Sequence, residues 1–487
     1  MKKTALALAI PLAVVAASLA GAWYTGTRVE AQITESLEAG NAALRDQAPG
    51  LDIQVSLLGL ERGLFASDAR YQIAVRDLES GESSLLEIAD HLEHGPFPWS
   101  RLSRGQLLPV MAQSNFRLEP TPFARRWFEA AGGESPLCGE VAIGYGDGRQ
   151  GEVHLAALRV EEPGTWLSLA AADFDFSVAD DGRKVRVGGA LPRLELSGVE
   201  PDSGQAVRIE MLGMGMEIDK RYDAAGFGLG PGAFSARSIR LQVGEQPPVV
   251  LRDATFEEAL AQGERGLDQT VAYRIGGVEV QEQALGRLTL ALSARQLDAE
   301  ALQALGQTYR QIALSGLDPD DPLAGMTPVQ RVQLQAQALR LLEGGPRLAL
   351  DELSLKTARG EARLSLAVDL RKPDERAATP DQMLDSALAA LDAEVRLDKP
   401  LIGDLVLLKG GLQGVPAASA ALQREADAAT ELFSGMALNA GWARLDGATL
   451  KSTLHYADRQ VTFNGQPMSL EDFVNFVLGS AQGLGLQ

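Results

Sequence analysis

Apolar and polar residues alternate along most of the chain beyond residue 50. Leu51, Ile53, Val55 and Leu57 alternate with Asp52, Gln54 and Ser56; Tyr71, Ile73 and Val75 alternate with Arg70, Gln72 and Arg76. A period of two puts each apolar set on one face of a strand, so the two runs predict a hairpin turning at Glu61-Arg62-Gly63-Leu64-Phe65. The same period returns in Phe174, Phe176 and Val178, in Val185 and Val187, in Leu194 and Leu196, in Ile239, Leu241 and Val243, and in Leu288, Leu290 and Leu292. Asp180-Asp181-Gly182 and Pro201-Asp202-Ser203-Gly204 separate some of these runs, as antiparallel turns do. Met211, Met214 and Met216 slip phase at Leu212-Gly213, which predicts a bulge with the methionines in ordinary core packing.

Helical periodicity marks other stretches. Segment 29–44 places Ile33, Leu37 and Leu44 near helical spacing and predicts a stalk helix stopped by Pro49-Gly50. Segment 298–311 predicts a helix capped by Asp298, and Thr327-Pro328 opens another that runs to Leu342 and stops at Gly344-Gly345. A hairpin follows over 348–370, then helices over 381–391 and 417–432. The end reads as a strand over 450–463, a turn at Asn464-Gly465, and a helix capped by Ser469 that runs to Leu478. The fold class is α+β, mainly antiparallel β: an N-terminal transmembrane helix, a long curved antiparallel sheet and a helix-rich C-terminal third. The expected regions are an anchor over 1–28, a β-rich region over 29–295 and a mixed α/β region over 296–487.

The first residues carry the strongest single signal. Lys2 and Lys3 lead into an apolar run over 5–22, including Leu6, Leu8, Ile10, Leu12, Val14, Val15 and Leu19, and Trp23-Tyr24 close it. As a helix rising about 1.5 Å per residue, the run spans roughly the hydrocarbon core of a bilayer. The lysines stay on the cytoplasmic side and the body lies beyond the membrane. A cleaved signal peptide shares the charged start and apolar centre, and would leave a soluble periplasmic protein. The unbroken continuation into Trp23-Tyr24 favours an uncleaved single-pass anchor.

Bulk composition narrows the rest. Of 487 residues, 45% are hydrophobic and 23% charged, an ordinary globular balance; the net charge of −20 argues against nucleic acid as a partner. Cys138 is the single cysteine, so there is no intramolecular disulfide and no cysteine zinc site. It reads as a small buried hydrophobe in a strand over 137–145. His91 and His94 sit among acidic residues, but an HxxH spacing on a strand does not put both rings on one face, and HExxH is absent. They read as the end of a strand running into a rigid turn. GxSxG is missing, and the glycine clusters at 144–148 and 226–230 lack the P-loop lysine. No catalytic residue, metal or cofactor is expected.

Three blocks carry a family resemblance. Gly21-Ala22-Trp23-Tyr24-Thr25-Gly26 follows the apolar run; His94-Gly95-Pro96-Phe97-Pro98 forms an HGPFP element; Asn464-Gly465-Gln466-Pro467-Met468-Ser469-Leu470-Glu471-Asp472-Phe473-Val474 resembles an NGQxMSLEEFV element, with Asp472 at the usual glutamate. Together they resemble the YdgA-like family of envelope proteins of Gram-negative bacteria. That resemblance implies an inner-membrane protein with a periplasmic body and no known catalytic residue. His94, Gly95, Pro96, Phe97, Pro98, Asn464, Gly465, Met468 and Phe473 are its motif residues, without assigned roles. The strand text also resembles the β-groove proteins related to AsmA, which are linked to lipid traffic. The expected function is therefore non-enzymatic: handling of a lipid or another hydrophobic ligand in an apolar groove lined by residues such as Val55, Ile73 and Phe176. The alternative is a homo-oligomeric envelope scaffold, joined through the stalk and touching motility or cell-surface organisation.

Overall fold

In the computed structural model, the described residues are Asn41 and 51–483, apart from 79–80, 147, 163, 181, 201–202, 282, 315–325, 375–381, 383–385 and 417. The anchor over 1–28 and all of the stalk except Asn41 lie outside them. No helix among the described residues is long and apolar enough to cross a membrane. The fold is mainly antiparallel β with helices, as expected, and divides into two compact units. Among the described residues, one comprises the chain to Phe234 and 309–314; the other comprises Ser235–Thr308 and the chain from Met326.

The first unit is a meander. β1 (Leu51–Arg62) pairs with β2 (Ala66–Asp77), and β2 with β3 (Ser83–His94). Pairing continues through β4 (Ala112–Glu119), β5 (Leu137–Ile143) and β6 (Arg149–Leu155). β7 (Leu158–Glu162) and β8 (Thr165–Leu169) form a side hairpin, while β9 (Ala172–Ala179) pairs with β6. β10 (Lys184–Val199) takes β9 and β8 in turn along one edge and β11 (Ala206–Tyr222) along the other. β10 is one strand through Gly188-Gly189, joining the runs at 185–187 and 194–196. Two short helices intervene, α1 (Trp99–Leu102) and α2 (Arg125–Ala130). The expected bulge in β11 is not an inserted residue: its register with β10 is continuous, and Gly213 faces Pro192 with φ +60°. Proline has no N–H to donate, so the ladder skips that pair and resumes in phase.

One face of eight adjacent strands goes into a single apolar cluster. Ile53, Val55, Ile73, Ile88, Val141 and Val153 are among its buried members, and Phe123, Trp127 and Phe128 around α2 pack against it. Phe116, Phe174 and Phe176 each lie opposite a glycine on the neighbouring strand: Gly139, Gly189 and Gly151. A Cβ on Gly139 would fall 2.5 Å from Phe116 Cζ, one on Gly151 2.8 Å from Phe176 Cε1, and one on Gly189 would overlap the Phe174 ring. Each ring therefore occupies the space that its cross-strand partner leaves empty.

β12 (Gly228–Val243) runs across the division between the units. The second unit is a further meander: β13 (Val249–Gln262), β14 (Leu267–Val280), β15 (Gln283–Leu297), β16 (Arg347–Lys356), β17 (Glu361–Leu370), β18 (Leu388–Asp398) and β20 (Thr449–Ala457) pair in that order. β19 (Arg444–Asp446) and β21 (Gln460–Phe463) share the far edge of β20, and β22 (Gln466–Ser469) pairs with β21. The expected strand over 450–463 is thus a hairpin, turned by Asp458 and Arg459 at φ +49° and +61°. The expected helix over 381–391 is overturned from Leu388 onward, where cross-strand pairing to β17 and β20 outweighs the helical spacing of the leucines.

The helices of this unit are α3 (Ala299–Leu314), α4 (Pro328–Glu343), α5 (Lys399–Leu412), α6 (Ala420–Asn439) and α7 (Leu470–Gly483). Asp298 caps α3 by accepting from Ala301 N–H, and Thr327 with Gln330 forms a capping box on α4. α5 was not legible as a helix, because its run Leu401–Leu408 is apolar apart from Gly403 and Asp404 and shows no clear periodicity. α5 and α6 form an excursion between the paired strands β18 and β20. Its ends meet where Lys399 N–H donates to Ala448 O at 3.1 Å.

The ring-over-glycine pairs yield a stability test. Gly189→Ala puts a methyl group into the Phe174 ring, and the expected loss is about 1–3 kcal/mol, read as a lower denaturant midpoint. Pairing it with Phe174→Leu recovers part of the loss. An unchanged midpoint in Gly189→Ala would show that the ring does not fill this space.

Candidate functional site

The expected groove residues Val55, Ile73 and Phe176 are all buried in the first unit's core, so no groove opens there. The second unit differs. Cross-strand register aligns Val271, Leu292, Leu350, Leu366, Ala393 and Leu454 in one row across β14 to β20. A second row runs Tyr273, Leu290, Leu353, Leu364 and Val395, and a third continues through Ala294, Leu348, Val368, Leu391 and Tyr456. A bulge in β16 between Leu350 and Leu353 keeps both on this face.

At the β20 end Leu391, Leu454 and Tyr456 join a small core, but the rest of the face is not packed away. Leu292, Leu348 and Leu353 leave 40–44% of their surface exposed, and Tyr273 and Val395 are similarly open. The rows dip into a cleft of about 370 Å³ lined by Val271, Leu292, Leu348, Leu350, Leu366 and Val368. That size falls within the range of roughly 300–1,000 Å³ common to small-molecule sites. The opposite face carries cross-strand ion pairs instead: Arg274 with Glu257 at 2.5 Å, Arg347 with Asp369 at 2.7 Å, and Arg363 with Glu352 at 3.2 Å. One face is wet and charged; the other is apolar and open.

The motif residues fall in both units and have structural work to do. His94 ends β3, and its Nε2 shares a hydrogen bond with Ser67 Oγ at 2.9 Å. Burial, and then the charge of His91, pushes its pKa below the usual histidine value. Gly95 turns the chain at φ +93°, Pro96 O accepts from Val110 N–H, buried Pro98 precedes α1, and Phe97 is exposed. Asn464, at φ +50°, accepts from Thr453 N–H at 2.9 Å and donates to Gly441 O and Trp442 O. Gly465 follows at φ +75°, a backbone region that suits glycine. Trp442, Phe463, Met468, Phe473 and Phe476 then form a small aromatic core against β21 and α7. The block is thus a hairpin turn, a helix cap and the core they close.

A polar cleft on the first unit's outer face was missed in the sequence. Its lining includes His91, Cys138, Glu140, Glu152, His154 and Asp173, brought into two adjacent cross-strand rows. Cys138 is not the core residue expected: β5 turns it to this face, half-buried, where burial and then Asp173 and Glu134 push its thiol pKa up. His91 pairs with Asp68 at 2.7 Å and His154 with Asp173 at 2.6 Å. Among the described residues, no group of three or more potential ligands is arranged to hold a metal.

Asp90 lies on the inner face beside Ala69 and Phe116, fully buried. Ser114 Oγ donates to its Oδ1 at 2.7 Å, while Oδ2 has no partner among the described residues. Burial raises its pKa from 3.8 to about 7, against the lowering effects of Ser114 and His91.

Sequence comparison places this β-rich chain in a bacterial family whose function is unknown. It belongs to the family described as "Bacterial protein of unknown function (DUF945)", which matches residues 1–471. The chain is 25% identical to "Protein YdgA" of Escherichia coli (strain K12), over 97% of this chain and 96% of that protein. It is 21% identical to "Uncharacterized protein YihF" of the same organism, over 98% of each. An "Uncharacterized protein" of Haemophilus influenzae (strain ATCC 51907 / DSM 11121 / KW20 / Rd) is 27% identical over 36% of this chain and 47% of its own length. No solved structure matches. The YdgA-like resemblance read from the three blocks therefore holds.

Two outcomes follow from the buried groups. The proton on Asp90 stabilises the fold fully below about pH 3.8, and that contribution is lost as pH rises through about 7. Asp90→Asn keeps an acceptor for Ser114 without a charge to bury. Its Tm should exceed that of the natural chain at pH 8, with the gap closing towards pH 4. Asn464→Ala removes the bonds to Thr453, Gly441 and Trp442, and should lower stability by about 2 kcal/mol or more, read by thermal unfolding followed through tryptophan fluorescence.

Proposed function

We propose that the protein is a non-enzymatic envelope protein, held at the inner membrane by the apolar run over 5–22 with its body in the periplasm, and that its second unit binds an acyl chain or a similar hydrophobic ligand. The observation that carries this reading is the open apolar face of β14 to β20. Three in-register rows of Leu, Val, Ala and Tyr side chains run beside a cleft, and Tyr273, Leu292, Leu348, Leu353 and Val395 among them stay half-exposed, while the first unit buries its equivalent face. Exposed leucines cost free energy at about 25 cal/mol per Å² of apolar surface, so a ligand that covers them gains that amount on binding. The face offers few groups to orient a polar ligand: Gln269 is the one polar side chain in the cleft besides Ser293.

The same surface could instead be covered by a second copy of the chain, which is the scaffold reading. Binding of a polyene fatty acid, whose fluorescence rises in apolar surroundings, separates the two. Saturable binding by the full chain, weakened about tenfold or more by Leu292→Asp or Leu348→Asp, supports the ligand reading. Absence of binding, together with a dimer in light scattering that Leu292→Asp turns into a monomer, overturns it in favour of the scaffold.

A further inference from the structure

Three neighbouring connections of the first unit, β1–β2, β3–β4 and β5–β6, meet along one end of its sheet, and the first two project apolar side chains. Backbone hydrogen bonds set their order. His94 N–H donates to Phe65 O at 2.7 Å, Gly95 N–H to Met111 O at 3.2 Å, and Met111 N–H to Ile143 O at 2.7 Å. The β1–β2 turn, the HGPFP segment, the approach to β4 and the turn beginning at Gly144 thus form one rim.

Leu64, Phe65, Trp99 and Leu108 on this rim are 76–86% exposed, and Phe97 and Leu107 expose more than half of their surface. None of the six belongs to the apolar cluster behind them. Their backbone is held in place: Gly63 N–H donates to Ala66 O at 2.8 Å, Val110 N–H to Pro96 O at 3.1 Å, and Pro98 leads directly into α1. Side chains on loops already fixed lose little further backbone freedom when they dock.

Charge narrows the kind of partner. The chain carries −20 overall, yet the stretch 94–111 contains no Asp or Glu. Its two arginines turn back from the rim: Arg101 is buried and reaches Gln113, and Arg104 pairs with Glu140. This segment of the rim therefore brings no carboxylate against phospholipid phosphates, and its arginines are already engaged; Glu61 before the β1–β2 turn and Asp147 after Gly144 are the acidic residues of the other two connections. Trp, Phe and Leu on separate projecting loops suit the boundary between headgroups and acyl chains, where amphipathic aromatics settle. A protein partner of ordinary kind would meet a flatter apolar patch ringed by polar groups.

We infer that this rim docks on a phospholipid bilayer surface, with Leu64, Phe65, Trp99 and Leu108 entering the headgroup–acyl boundary. The inference stands apart from the acyl-binding reading, since it uses a different unit and a different surface.

Full-length protein carried in phosphatidylcholine nanodiscs tests it, with lipid brominated on the acyl chains either in the nanodisc or in added phosphatidylcholine vesicles. Bromine quenches tryptophan only at close range, so of the five tryptophans' emission the part that Trp99→Phe removes reports the depth of Trp99. The expected result is quenching in one of the two arms that Trp99→Phe removes. A Leu64→Ser/Phe65→Ser/Leu108→Ser variant should keep its circular dichroism and lower the apparent lipid affinity about tenfold or more. Equal quenching of the natural chain and Trp99→Phe in both arms overturns the inference. So does a blue shift of Trp99 that follows protein concentration and ignores lipid, which would assign the rim to a second copy of the chain.

Discussion

The constraint on which both units depend is the phase of their cross-strand register. With a side-chain period of two, a slip of one residue at any pair would send a whole strand's apolar set to the wrong face. After one bulge in β1, between Leu57 and Gly59, the first unit holds phase from β2 to β11, even across Pro192, where the ladder omits a pair without losing step. The second unit adds a residue in β16 and still returns Leu350 and Leu353 to the same side. Everything else follows from that phase. The buried cluster, the open rows of leucine and the charged outer faces all result from strands in which each phase change is confined to a bulge that returns the apolar set to its own side.

The two units put the same device to opposite ends. In the first, aromatic rings fill the space beside glycines, and Phe123, Trp127 and Phe128 add further cover. In the second, the corresponding face is mostly leucine, valine and alanine with few rings, and it remains half-open away from β20. An apolar face without cover is a standing cost to a protein in water, and the opposite face offsets it with exposed ion pairs worth little individually. Such a face is retained where something else covers it.

Much of this was legible along the chain. The alternation at 51–57 and 70–76 gave the first hairpin, Asp298 and Thr327 marked their helix starts, and Asn464-Gly465 marked the last turn. What was not legible depends on partners distant in sequence. Val55 and Phe176 alternate as a groove wall would, and only the cluster they join shows that they are core. Leu388 and Leu391 sit at helical spacing, but their neighbours on β17 and β20 decide for a strand. Cys138 and His154 are sixteen residues apart and become neighbours only through the pairing of β5 with β6. The apolar rim escaped notice for a different reason: Leu64-Phe65 and Leu107-Leu108 lie in turns, where periodicity carries no information about exposure.

The excursion between β18 and β20 has a bearing on the history of the chain. Lys399 and Ala448 meet at its base, so the sheet passes from β18 to β20 as though the intervening residues were not there. α5 and α6 pack chiefly on one another, with Gly410 admitting the Leu422 side chain between them. A segment closed at its neck and packed on itself can be lengthened, exchanged or lost without rethreading a strand. In this architecture, novelty can be grafted between two neighbouring strands while the sheet that carries it stays the same.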